Sequence, residues 1–338
     1  MRILALSPFE PESVTGNAVT LRRIRDGLRA RGHVFDVLPV SPQTGYDWVR
    51  SEVARAAPAV LHLYHSYKTG RLAALLKAWP SVVTVSGTDL NHDFQDPARR
   101  PAIEIALEHA ARIVTYNPSL AARVRETLPR AAAKVRVIPK GVFLGDQPFD
   151  LRGVAGVPAG RLLFLHPGGI RRVKNNLFAV EALVPFADRV SLVFAGPTVE
   201  EAYGAAFAGR IAREPWIRHL PLIPSPAMAA AYRASDVVLN TSLSEGISNA
   251  LMEAMAAGRA ILAADIPGNR DLLRDGETAL LYGDRADFEA KVGRLLSEPG
   301  LHRELGQAAL RKARSDFSTE RELDALLEAY AAAVSSRR

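Results

Sequence analysis

Short apolar runs rich in valine, isoleucine and leucine alternate with longer amphipathic segments from one end of the chain to the other. Few folds accept that pattern. Strands covered on both faces read as continuous apolar runs, and the amphipathic segments between them read as crossover helices. The pattern predicts strands near 2–6, 34–39, 59–64, 81–85, 112–115 and 135–138, and again near 161–165, 190–195, 217–220, 236–240, 259–263 and 279–281. Val19–Arg31 and Leu120–Leu128 read as helices between them. The fold class is therefore α/β, with two similar parallel sheets. A length of 338 residues suits two domains, each large enough to bury its own core. Residues 141–160 hold five Gly and two Pro with little periodicity, which predicts a linker and a boundary near 150. The expected domains are 1–150, 151–317 and a terminal helix within 318–338. That helix, Ser318–Ser335, starts on a plausible cap and carries an apolar stripe through Leu323, Leu326, Leu327 and Tyr330.

The chain has no cysteine, which excludes a disulfide scaffold, a thiolate zinc site and a cysteine nucleophile. It also fits a reducing compartment, so the expected location is cytoplasmic. The apolar run Met1–Pro8 is too short for a secretory leader, and no uncharged stretch of about 18 apolar residues predicts a membrane span. Residues 1–150 carry 20 basic against 14 acidic side chains, and residues 151–338 carry 23 against 22. A basic first half suits an anionic substrate, a peripheral membrane contact, or simply an Arg-rich solvated face. Nucleic-acid binding is disfavoured because no aromatics interleave a basic stripe. Neither Gly-x-Gly-x-x-Gly nor Gly-Lys-Ser/Thr occurs, which argues against a nicotinamide dehydrogenase and a P-loop.

Ligands of doubly wound sheets bind outside the carboxyl ends of the strands, so the loops after strands are the places to look. Thr15-Gly16-Asn17 combines close backbone approach with a helix N-terminus, although an ordinary turn with an Asn cap fits equally well. In Leu61–Lys68, His65 and Lys68 follow a strand and are candidates to meet substrate. Ser86-Gly87-Thr88-Asp89-Leu90-Asn91-His92 is dense in groups that hydrogen-bond hydroxyls, or it is an Asx turn. Gly168-Gly169-Ile170-Arg171-Arg172-Val173-Lys174 sets three cations between a strand and a helix, a plausible diphosphate clamp. The strongest segment is Ser244–Gly258. There Glu245 ends a loop, a helix starts near Ser248 with amides at Ile247–Asn249 facing outward, and Glu253 lies in the second turn. A carboxylate there can take both hydroxyls of a vicinal diol such as ribose.

Glu-Gly-x-Ser, two glutamates separated by seven residues, and Glu-Ala-Met-Ala-x-Gly resemble the signature of family 4 nucleotide-sugar glycosyltransferases, which have the GT-B fold. Phe194-Ala195-Gly196-Pro197 and Ile266-Pro267-Gly268-Asn269 continue the resemblance. Thr15–Thr20, Leu61–Tyr64 and Gly87–Asn91 are similar to the small group called glycosyltransferase 1 domain-containing protein 1. The resemblance implies two Rossmann-like domains facing a cleft, acceptor domain first and donor domain second, with the terminal helix crossing back. It implies that Arg171 and Lys174 neutralise the donor diphosphate beside Gly169, and that Glu253 holds the ribose. Glu245 would approach the transferred sugar, amides of Gly246, Ile247, Ser248 and Asn249 would add to the phosphate site, and Leu222 would border the base. Gly16 and Asn17 would close on the donor from the first domain. Many members carry His where this chain has Ser86, so any imidazole role passes to His65 or His92 or is absent, and Asp89 is a further catalytic candidate.

The expected reaction is transfer of a sugar from a nucleotide-diphosphate donor, with no cofactor. No Asp-x-Asp motif is present, and the resemblance implies metal independence and retention of configuration. Within the same class, Gly16-Asn17 and Gly87-Thr88-Asp89 are also similar to selenosugar and thiosugar synthases. A non-catalytic nucleotide-sugar binder is the alternative from another class. The acceptor, donor base and oligomeric state are not readable from the sequence, beyond the suggestion of an anionic acceptor.

Overall fold

The computed structural model describes residues 1–10, 13 and 16–336, without the side chains of Gly16 and Asn91. Among the described residues, twelve strands appear where the apolar runs stand. They are β1 (Arg2–Ser7), β2 (Val34–Pro39), β3 (Val60–Tyr64), β4 (Ser81–Val85), β5 (Arg112–Thr115), β6 (Val135–Val137), β7 (Leu162–Pro167), β8 (Val190–Ala195), β9 (Ile217–Leu220), β10 (Val237–Asn240), β11 (Ala260–Ala264) and β12 (Leu280–Tyr282). They form two six-stranded parallel sheets, ordered β2-β1-β3-β4-β5-β6 and β12-β11-β10-β7-β8-β9. The order reverses between β1 and β3 in the first sheet and between β7 and β10 in the second. At such a point the two flanking loops diverge and leave a crevice at the strand ends.

The chain divides into two compact units, Met1–Gly141 with Ser318–Arg338, and Val142–Phe317. In the first, Leu4, Leu6, Leu61 and Leu63 pack on one face of the sheet, while Ile3, Ala5, Val60 and Val82 pack on the other against Leu323, Leu326 and Tyr330 of helix Thr319–Ser335. Burial on both faces is why these strands read as unbroken apolar runs. Ser318 caps the terminal helix by accepting from the Arg321 N–H at 3.4 Å. Glu320 and Glu322 do not fold back onto that cap. Glu322 pairs with Arg23 on helix Gly16–Ala30, and Glu320 pairs with Arg31, in the turn just past that helix. His62 sits beneath the terminal helix, with Nδ1 2.7 Å from the Tyr330 hydroxyl and Nε2 2.6 Å from Thr84 Oγ1. Burial pushes His62 down to about 3, so it is a neutral core histidine.

The second unit begins at Val142 rather than at 151. The Gly- and Pro-rich stretch is not a free linker: the Val142 N–H donates to the Phe317 carbonyl at 3.0 Å, the Gln147 N–H to Pro226, and Val142, Phe149 and Leu151 pack on this unit's core. Among the described residues no helix is long and apolar enough to cross a membrane.

The Glu322 side chain is 1% exposed, whereas the Glu320 side chain is 75% exposed. Removing one partner of a buried pair leaves a stranded charge at a cost of about 3 kcal/mol, and exposed pairs contribute little. Glu322→Ala is therefore expected to lower stability in urea unfolding by about 3 kcal/mol, and Glu320→Ala to leave it almost unchanged. Equal losses in the two variants would contradict this.

Candidate active site

In the second unit β7 and β10 are adjacent, so the loops that follow them start side by side. The Thr241 hydroxyl, just past β10, donates to the carbonyl of Lys174 at 2.8 Å and lies 2.8 Å from His166 Nε2 near the end of β7. Burial pushes His166 down to about 3, so the imidazole is neutral and acts as a strut between the two strand ends. That strut places Lys174 Nζ 2.5 Å from Glu245 Oε1. The same oxygen accepts from Ser242 Oγ at 2.7 Å and Asn240 Nδ2 at 3.3 Å. Asn240 is itself oriented, because its Oδ1 accepts from Asn269 Nδ2 at 3.2 Å. Burial pushes the Glu245 carboxyl up, but the charge and hydrogen bonds of Lys174, with Ser242 and Asn240, outweigh it, and Glu245 stays below the usual carboxylate range. Gly268 packs directly on this loop. A Cβ there would lie 2.3 Å from the Glu245 carbonyl oxygen, so only glycine lets the segment after β11 close on it.

Glu253 sits on helix Asn249–Ala256, which Ser248 caps through Leu251 N–H and Gly258 ends at φ 67°. Its Oε2 accepts from the Tyr232 hydroxyl at 2.9 Å. Burial pushes Glu253 up to about 7, against the Tyr232 hydrogen bond, which pulls it down. The two glutamates of one motif are thus driven in opposite directions.

The loop after β7 is rich in donors. Arg171 Nε and Asn176 Nδ2 are buried without a partner, and the Asn176 Oδ1 takes the Arg171 N–H. Unpaired buried donors beside Lys174 suit an anionic ligand. Gly169 lies in the same loop, against Val199 and the Pro197 carbonyl. Gly246, Ile247, Ser248 and Asn249 lead into the helix that carries Glu253. Leu222 follows the edge strand β9, two strands from β7, and is 64% exposed. It does not join the Lys174–Glu245 cluster. Among the described residues no group of three or more His, Cys, Asp or Glu is placed to hold a metal ion.

In the first unit the loops after β3 and β4 are clasped together. Asp89 is fully buried, and its carboxylate accepts from Ser66 N–H and Oγ and from the Ser86 and Gly87 N–H groups. In this structure it clasps the two loops together. Gly87, at φ 107°, makes the turn that delivers its N–H to Asp89. His65 is 3% exposed and holds φ at 86°, a conformation uncommon for a non-glycine residue. Its Nδ1 accepts from the Tyr67 and Lys68 N–H groups, which puts the ring proton on Nε2, facing Thr88 Oγ1 at 3.2 Å. Burial, with Lys68, lowers its basicity more than Asp89 and Asp93 raise it. His65 is therefore a neutral donor, not a free base. His92 is exposed. Gly16 opens helix Gly16–Ala30 and Asn17 lies in its first turn, whereas Thr15 falls outside the described residues. The sequence reading missed Tyr232, Asn240 and Thr241. The last two stand directly at the end of an apolar run, a position that could have flagged them.

Known proteins give the cluster a context. Residues 161–298 match the family model "Glycosyl transferases group 1", and residues 7–141 match "Glycosyl transferase 4-like domain". A relative named Glycosyltransferase 1 domain-containing protein 1, from Xenopus tropicalis, is 29% identical over 96% of both chains. A D-inositol 3-phosphate glycosyltransferase from Thermomonospora curvata is 30% identical, covering 98% of this chain and 81% of its own. Among solved structures, sucrose-phosphate synthase from Thermosynechococcus elongatus superposes with a TM-score of 0.85 at 19% identity over 99% of this chain and 100% of its own. Anabaena Alr3699/HepE, in complex with UDP-glucose, gives 0.80 at 18% identity over 98% and 99%.

The raised Glu253 sets a stability signature. Its folded value of about 7 lies above the ordinary 4.5, so its contribution is complete below about 4.5 and is lost as pH rises through 7. The loss amounts to about 3 kcal/mol at 1.36 kcal/mol per pH unit. Glu253→Gln is expected to abolish that loss, so urea unfolding between pH 5 and 8 should show the wild type falling relative to the variant. Parallel profiles would show that Glu253 does not carry it.

Proposed function

We propose a specific catalytic reading for this chain, which belongs to the family 4 glycosyltransferases of GT-B fold and is a transferase acting on nucleotide-sugar donors. The second unit binds the donor and the first the acceptor, and transfer proceeds with retention and without a metal. The observation that carries this reading is the Lys174–Glu245 pair at the β7/β10 reversal, with Glu253 one helix turn beyond the capped N-terminus.

Breaking the bond to a diphosphate leaving group builds negative charge on phosphate and positive character on the sugar ring. Lys174 and Arg171, with the amides of Gly246, Ile247, Ser248 and Asn249, stabilise the first. Gly169 lets the backbone come close to the same group. Glu245, kept ionised, takes a hydroxyl of the transferred sugar on Oε2 while Oε1 stays engaged by Lys174. Glu253 accepts from the ribose and Leu222 borders the base. The leaving phosphate oxygen takes the acceptor's proton on the face it departs from, so the neutral His65 has no base to supply and serves as a donor. The acceptor is anionic. Two features support this. The first unit carries 23 basic against 16 acidic residues while the second carries 20 of each. A relative at 30% identity is also named for an inositol phosphate acceptor. The cysteine-free composition suits a cytoplasmic site of action.

A thermal-shift panel of nucleoside diphosphates and nucleotide sugars tests the donor assignment, because a ligand at a hundred times its Kd stabilises by about 2.7 kcal/mol. Lys174→Ala and Arg171→Ala are each expected to lower turnover at least a hundredfold, about 2.7 kcal/mol of transition-state stabilisation; the Arg171→Ala unfolding profile should be intact, and Lys174→Ala should still fold but lose about 3 kcal/mol because it strands the buried Glu245. Near-normal rates in either variant would remove that residue from the clamp.

A further inference from the structure

We propose that Tyr232 is a positioning residue for donor binding: its hydroxyl clamps Oε2 of Glu253 and presents Oε1 to the ribose diol. The inference rests on the reading of Glu253 as the ribose acceptor. Tyr232 comes from helix Met228–Ala234, is 1% exposed and donates at 2.9 Å. Its O–H reaches a carboxylate 21 positions along the chain. A buried phenol needs a partner for its hydroxyl, and here that partner is a group able to face a ligand.

The direction of the effect follows from what each protonation state can accept. An ionised carboxyl offers four lone-pair sites and can accept from Tyr232 and both ribose hydroxyls together. A protonated one gives up an acceptor site and presents a competing O–H. Burial favours the protonated form of Glu253, and Tyr232 is the neighbour that opposes it. Helix Asn249–Ala256 shares an apolar cluster with Val238 from β10, Ile261 and Ala263 from β11, and Ala309 and Ala313 from helix Leu301–Asp316. Among the described residues, the hydrogen bond that lowers the Glu253 carboxyl is the one from Tyr232. Tyr232 thus keeps a nearly neutral carboxyl competent to bind at physiological pH.

Tyr232→Phe tests this, with two readouts. The Glu253 carboxyl, followed by carbon NMR in glutamate-labelled protein, is expected to titrate at higher pH in the variant than in the wild type. UDP is expected to bind at least tenfold more weakly at pH 7 and to approach wild-type affinity by pH 9. In a Glu253→Gln background the same phenylalanine should leave the pH dependence of UDP binding unchanged. An unmoved Glu253 titration overturns the positioning role, as does a UDP affinity loss of equal factor at every pH, the mark of a purely structural defect. The underlying ribose reading fails separately, if Glu253→Gln binds UDP as the wild type does while the Tyr232→Phe titration still moves.

Discussion

Burying Lys174 and Glu245 at the ends of two adjacent strands is the constraint around which the second unit's functional edge is built. Each side chain is 13% exposed, so neither charge keeps its full hydration. A pair in that position persists only when the remaining lone pairs and protons are also met. The structure meets them in series. Ser242 and Asn240 complete the coordination of Oε1, Asn269 holds Asn240, and Gly268 lets the segment after β11 lie against the loop. The Thr241 hydroxyl fixes the other end by tying the Lys174 carbonyl to β10. Three loops from three neighbouring strands are therefore committed to one ion pair before any ligand arrives.

That preorganisation explains how the site works without rearranging its charges. Glu245 stays ionised because Lys174 is there, and Lys174 stays directed because Glu245 is there. On the proposed donor reading, a diphosphate arriving beside Lys174 would enter a field already shaped for it, with the Arg171 Nε and Asn176 Nδ2 donors unpaired in the same loop. Electrostatic stabilisation of this kind is effective because the dipoles do not need to turn during the reaction.

The sheets, their strand positions and the Glu245–Glu253 motif were legible in the sequence because they depend on local periodicity and on spacing within one loop and helix. What was not legible depends on contacts between distant segments. Tyr232 reads as an ordinary helical aromatic until its hydroxyl is seen on Glu253, and Asn269 reads as a turn residue until it is seen on Asn240, 29 positions away. Asp89 stands among polar residues in the sequence, and only the structure shows that several of them donate to its carboxylate. His65 looked like a base, but the chain's turn to φ 86° delivers two amide protons to its Nδ1. The second unit's start at Val142 was hidden for a similar reason, since a Gly- and Pro-rich composition shows irregular backbone and not whether that backbone is packed.

The same logic separates the two glutamates. They share one motif and differ by eight positions, yet Glu245 lies among a cation and two neutral donors while Glu253 lies in an apolar helix interface with one phenol. Environment, not residue type, decides which one holds its charge. In the proposed mechanism, the carboxylate facing developing positive character on a sugar needs a permanent charge, which Lys174 would secure. A carboxylate that must accept two hydroxyls needs only to be ionised once they are present, and incoming O–H donors favour that state. A value near 7 follows from burial without a neighbouring cation, and it suits the diol-binding role proposed for Glu253.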